Sequence, residues 1–156
     1  MLKLFNTLTR KKETFKAKKQ VGFYFCVPTV YDFAHIGNFR AYIFADLLRR
    51  YLQFLGYKVK MVMNLTDVDD KTIKNSRKES VSLKDFTERY EKAFFEDIAK
   101  LGIKPASIYP RATEHIPEMV ALINALLKKG LAYKGEDGSI YYDISKFPAY
   151  GQLSKL

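Results

Sequence analysis

The hydrophobic pattern changes period several times along the chain, and each change marks an element. Val21 to Phe25 is a continuous apolar run, which fits a strand buried in a parallel sheet. Pro28 interrupts it, so a turn is expected there. From Phe39 the apolar residues recur three or four apart. Phe39, Ile43, Leu47, Leu48, Tyr51, Leu52 and Leu55 form a stripe, with Arg40, Arg49, Arg50 and Gln53 between them. Gly56 then ends the predicted helix. Tyr57 to Met63 alternates with Lys58 and Lys60 and reads as a second strand. Strand, helix and strand in this order predict a right-handed parallel crossover.

The pattern continues in the same manner. Leu2 to Thr9 reads as an extended lead-in, and Thr9 to Gln20 as a cationic surface loop. Asn64 to Lys71 is polar and falls at the carboxyl end of the second strand, before a short helix over Asp69 to Ser76. Ser82 is placed to cap a helix whose stripe is Leu83, Phe86, Tyr90, Phe94, Ile98 and Leu101, with Gly102 ending it. Ile103 to Ala112 reads as a connection, and Ile116 to Lys129 as a further helix stopped by Gly130. Leu131 to Lys134 and Ser139 to Asp143 flank Gly135-Glu-Asp-Gly138 and predict a hairpin. No regular period follows from Ile144 onward. The fold class expected is α/β, a Rossmann-like parallel sheet with flanking helices. Residues 1–130 make up its amino-terminal half, and 131–156 the start of an inserted hairpin region.

Composition narrows the function classes. With 47% hydrophobic and 15% aromatic residues in 156, the chain has the material for one cored domain rather than a disordered tail. No apolar run reaches membrane-spanning length, and the basic start is followed by no apolar segment, so no membrane or secretory role is expected. A lone cysteine cannot close an internal disulfide, which suits a reducing, cytoplasmic setting. The 27 Lys and Arg against 17 Asp and Glu give a net +10, compatible with a polyanionic partner such as RNA or with a solvated basic surface.

The chemistry concentrates after the first strand. Cys26 sits at its carboxyl end, and His35 and Gly37 sit where the next helix begins. In open α/β folds that edge is where ligands bind. A thiolate there can hold a metal, although a cysteine is as readily a small buried hydrophobe. Helix-start N–H groups, a close backbone approach at Gly37 and an imidazole suit a phosphate. Thr66 and Asp67 follow the second strand toward the same edge. Asp69 and Asp70 read as helix-capping carboxylates, without a magnesium site. His115 reads as a helix-start residue with no catalytic role.

These residues also carry a resemblance. Cys26-Val-Pro-Thr-Val-Tyr-Asp32 followed by Ala34-His-Ile-Gly-Asn38 resembles the first signature region of cysteinyl-tRNA synthetases, which are class I aminoacyl-tRNA synthetases. The family pattern is roughly C-G-P-T-V-Y-D and then H-I-G-H. Leu4 to Glu13, Asn64 to Lys71, Pro110 to Thr113 and Tyr150 to Ser154 carry further similar blocks in the same order. The resemblance covers the first third or so of such an enzyme.

It implies cysteine activation with ATP to cysteinyl-adenylate, then transfer to tRNA. His35, Gly37 and Asn38 would serve ATP, with His35 and Asn38 catalytic. Cys26 and Thr66 would serve the substrate cysteine, with Cys26 acting through zinc. Zinc favours a thiol over a serine hydroxyl, which gives the metal a role in selecting the amino acid. Three departures stand out. Val27 replaces the usual glycine, Asn38 the second histidine, and the lysine-rich K-M-S-K-S loop is absent, Lys155 beside Ser154 being no substitute. No second cysteine exists to join Cys26 on zinc. The expectation is therefore an incomplete catalytic domain, inactive alone, with a complementing carboxyl-terminal chain as a partner. Two alternatives stay open: a non-catalytic RNA- or protein-binding relic, and an ATP-dependent ligase joining cysteine to a small amine.

Overall fold

A computed structural model describes residues 1–154 and, at Pro28, the backbone alone. Lys155 and Leu156 lie outside the described residues, so the structure says nothing of the lysine weighed against the lysine-rich loop. The chain forms two compact units, one spanning Ala17–His115 and the other joining Met1–Lys16 with the chain from Ile116 on.

In the second of these, β1 (Lys3–Asn6) and β2 (Lys11–Thr14) pair antiparallel, with Phe5 opposite Lys12. The cationic segment expected to be a loop is therefore partly a strand. It carries no apolar alternation because only its backbone is needed for pairing. Arg10 takes a positive φ of 59° in the turn and donates to the carbonyl oxygens of Leu153 and Ser154.

The Ala17–His115 unit is built on β3 (Gln20–Thr29) and β4 (Lys58–Thr66), a parallel pair with Val21 opposite Val59, Phe23 opposite Met61 and Phe25 opposite Met63. Both strands run past their expected ends. β3 passes through Pro28 by an irregularity between Cys26 and Thr29, where the missing N–H of proline costs no ladder bond. β4 continues to Thr66 because its far side is also paired. Val62 bridges Ile108 and Leu65 bridges Arg111, both parallel, and the Leu65 N–H donates to Pro110 at 2.8 Å. The stretch expected to be a plain connection thus supplies a third short parallel segment.

One face of this sheet is covered. α1 (Ile36–Phe54) joins β3 to β4, and α3 (Leu83–Lys100) leads from β4 toward the Ile108 segment, after the short α2 (Asp70–Lys78). Met61, Met63 and Leu65 point into a core with Val27, Tyr42, Ala45, Phe94, Ile98 and Ile103. Each such side chain contributes roughly 1.5–3 kcal/mol on burial. The buried face of α1 is Tyr42, Ala45 and Leu52, while Ile43, Leu47 and Tyr51 of the expected stripe are exposed. Tyr42 sets this rotation by packing edge-on against Phe25, Phe39 and Phe94. The other face of β3 and β4, bearing Tyr24 and Cys26, is open among the described residues.

α4 (Ile116–Lys128) follows a short 3-10 turn over Ala112–His115 and buries none of its residues. β5 (Ala132–Lys134) and β6 (Ile140–Tyr142) form the expected antiparallel hairpin. No described helix is long and apolar enough to cross a membrane.

Candidate functional site

Two groups of residues converge on the carboxyl ends of β3 and β4. The first lies on the open face of the sheet. Alternation turns Val27 inward, at 3% exposure, and leaves Cys26 outward with its Sγ donating to the Val27 carbonyl at 3.6 Å. Cys26 is in register with Asn64. Asn64 links its neighbours in a row, because its Oδ1 accepts from the Tyr24 hydroxyl at 2.9 Å and its Nδ2 donates to Thr66 Oγ1 at 3.1 Å. The Thr66 hydroxyl proton is not used in that bond. Under this row, burial pushes the Tyr42 phenol well above its ordinary pKa, with negative charge on Cys26 the second cause. Tyr42 therefore stays a neutral core group beside the cysteine.

The second group is the turn that starts α1. His35 is the N-cap, in extended backbone, and its Nδ1 accepts from the Gly37 N–H at 3.1 Å. Asn38 returns the favour, its Oδ1 accepting from the His35 N–H at 3.1 Å. This reciprocal pair satisfies two helix-start donors. His35 and Gly37 are exposed and Asn38 is half-buried. A shallow depression of about 340 Å³ adjoins the turn, lined by Gly37, Arg40, Ala41 and Phe44. The arrangement offers an outward imidazole and a guanidinium to an anion.

The aspartates divide by role. Asp69 is the N-cap of α2 and accepts from the Thr72 N–H at 2.7 Å, with Asp70 following in the first turn. Asp67 is buried, and its carboxylate takes both the N–H and the hydroxyl of Thr113. It ties the end of β4 to the Arg111–Thr113 segment. Arg111 in turn is paired with the buried Glu91 and reaches Glu114. A cleft of about 590 Å³ opens there between Asp67, Thr87, Glu91, Arg111 and Thr113, its charged groups answering one another. His115 ends the 3-10 turn before α4.

Sequence reasoning passed over Tyr24, Asn64 and the Asp67–Thr113 clamp. Asn64 was legible as the residue two before Thr66, on the same face of an extended β4. Ending the strand at Met63 hid that alternation. As for zinc, Cys26 offers one thiolate, and no three His, Cys, Asp or Glu among the described residues are grouped to hold an ion. A four-ligand zinc site is therefore not met by the residues present.

Comparison with known proteins agrees with this architecture. A family profile described as "tRNA synthetases class I (C) catalytic domain" matches residues 12–156. A cysteine–tRNA ligase of Brachyspira hyodysenteriae is 60% identical over 97% of this chain and 32% of its own length. One from Methanosarcina mazei is 56% identical over 100% of this chain and 33% of its own, and one from Chlamydia felis 54% over 99% and 33%. The chain thus spans about a third of the length of these curated relatives. Among solved structures, the ternary complex of Agrobacterium radiobacter K84 agnB2 LeuRS with tRNA and LeuAMS superposes with a TM-score of 0.63. It is 24% identical and covers 71% of this chain and 15% of that one, a likeness of fold.

Proposed function

Because the chain belongs to the family of class I (C) tRNA synthetase catalytic domains, we propose that it supplies the amino-terminal part of a cysteine–tRNA ligase. The observation that carries this is the pairing of the His35–Asn38 turn with the Cys26, Asn64 and Thr66 row at one sheet edge. In the proposed reaction the cysteine carboxylate attacks the α-phosphorus of ATP. A carboxyl–phosphoryl bond forms and pyrophosphate leaves. The terminal ribose hydroxyl of tRNA then attacks the carbonyl, and AMP leaves.

Within that scheme His35 donates from Nε2 to an α-phosphate oxygen, where a fixed donor is worth most as negative charge grows. Gly37 admits the phosphate close to the backbone, and Arg40 is near enough along α1 to add a second cation. Thr66 and Cys26 face the substrate cysteine. No step is drawn through zinc, to which this chain offers the Cys26 thiolate alone.

The proposed division of the chain keeps residues 1–130 in the nucleotide-binding domain and begins a connective insertion within 131–156, where β5 and β6 lie. A complementing carboxyl-terminal part is proposed as well. β3 pairs only with β4 among the described residues, and α1 exposes Ile36, Phe44 and Phe54. The net +10 supports tRNA as the polyanion, and the lone thiol a reducing, cytoplasmic setting.

The roles separate in a chimera in which this chain replaces the matching third of the Brachyspira hyodysenteriae relative. Cys26→Ser is expected to abolish cysteine binding and leave ATP binding nearly intact. Equal loss of both ligands contradicts the assignment and makes Cys26 structural.

A further inference from the structure

The turn at the start of α1 fixes more than a helix end. A backbone N–H can only donate a hydrogen bond. The Gly37 N–H meets His35 Nδ1 at 3.1 Å, so that nitrogen carries a lone pair and no proton. The neutral ring then holds its proton on Nε2. The opposite tautomer would set two donors against each other. Asn38 is fixed by the same logic: the His35 N–H meets its side chain at 3.1 Å, which must be the amide oxygen. That bond pins the backbone from which the imidazole springs.

Gly37 is the third part of the device. A Cβ there would lie 2.9 Å from Cε1 and 3.0 Å from Nδ1 of His35, closer than side chains pack. The ring lies back over Gly37 only because no side chain is in the way. The three residues together hold one ring position and one tautomer.

We propose that Asn38 is a positioning residue which, with the bare Gly37, locks His35 as the neutral tautomer protonated on Nε2, so that the ring meets its ligand as a hydrogen-bond donor. This rests on the reading that the turn receives a nucleotide phosphate. It assigns Asn38 an action through His35 rather than a direct one, with its Nδ2 left outward. It also gives a physical meaning to an amide where the related signature carries a second histidine: the amide oxygen accepts without titrating.

The test is the ring ¹⁵N spectrum of the 156-residue chain at about pH 9, where an ordinary imidazole is neutral. His115, the other histidine, is removed as His115→Gln to assign the signals. The expected result is an unprotonated Nδ1 and a protonated Nε2, without the intermediate shifts of a ring exchanging between tautomers. Asn38→Asp, which keeps the accepting oxygen, preserves that pattern. Asn38→Ala and Gly37→Ala move both nitrogens toward averaged values while the α3 amide spectrum stays in place. An averaged ring in the unsubstituted chain overturns the proposal, and that measurement needs no variant to fold. Asn38→Ala indistinguishable from the parent overturns the role of Asn38. Adding ATP separates the two readings. A shift at Nε2 supports the phosphate site, whereas a locked ring that ignores ATP refutes the phosphate reading and leaves the lock standing.

Discussion

Asp67 gives the sharpest test of how the β4 edge is held. Its carboxylate is 5% exposed and receives the Thr113 N–H at 3.0 Å together with the Thr113 hydroxyl. Hydrogen bonds to a charged group contribute about 1.5–3 kcal/mol each at full burial. Thr113 is itself exposed, so water recovers part of that when the carboxylate is removed. Asp67→Ala is therefore expected to cost about 2 kcal/mol. Asp67→Asn keeps an oxygen toward the amide, and the threonine hydroxyl can rotate to accept from the new NH₂, so about 1 kcal/mol is expected. For a urea slope of about 2 kcal/mol per molar, the midpoint falls by about 1 M for alanine and about 0.5 M for asparagine. Urea unfolding followed by circular dichroism reads both. An alanine midpoint within about 0.2 M of the parent would refute the clamp. Asparagine as damaging as alanine would mean that the charge itself is required, which the hydrogen-bond geometry does not predict.

Arg111→Leu strands the buried Glu91 carboxylate, whose Oε2 accepts from Arg111 Nε at 3.1 Å. Because the arginine is partly exposed, about 2–3 kcal/mol is expected in the same unfolding assay, and adding Glu91→Leu recovers much of it. A double variant no more stable than the single one speaks against a desolvated carboxylate. In the hairpin, the Tyr141 hydroxyl first, and then Ser139, hold the Asp137 carboxyl below its ordinary pKa. A depressed folded pKa gives stability that is present above the unfolded value and lost as pH falls through the folded one. The Ser139 amide is therefore expected to gain hydrogen exchange as the pH drops below about 4, and Asp137→Asn to remove that dependence. A pH-independent Ser139 amide contradicts it.

The parts of the fold with a strong period were legible in the sequence. The strand–helix–strand crossover, the caps at Asp69 and Ser82 and the hairpin around Gly135–Gly138 all appear where pattern and cap chemistry placed them. What the sequence hid depended on long-range partners. β4 reaches Thr66 because Ile108 and Arg111 pair with its far side, and no local pattern announces a neighbour more than forty residues away. The rotation of α1 turned on Tyr42, an aromatic outside the expected stripe that packs among three rings from three elements. For the candidate site, the motif pointed to His35, Gly37, Asn38, Cys26 and Thr66. It did not reveal that Asn38 turns back on His35 or that Asn64 ties Tyr24 to Thr66. Those are tertiary hydrogen bonds, and residue type alone does not select them.

The central claim is that this chain carries the adenylate-forming half of a cysteine-activating site. It is tested most directly by cysteine-dependent exchange of pyrophosphate into ATP, measured in the chimera with the Brachyspira hyodysenteriae relative. The account predicts exchange in the chimera, a loss of about a hundredfold or more with His35→Ala, and none from the 156-residue chain alone. A folded chimera that exchanges nothing while its parent enzyme does, or exchange indifferent to His35→Ala, contradicts the account.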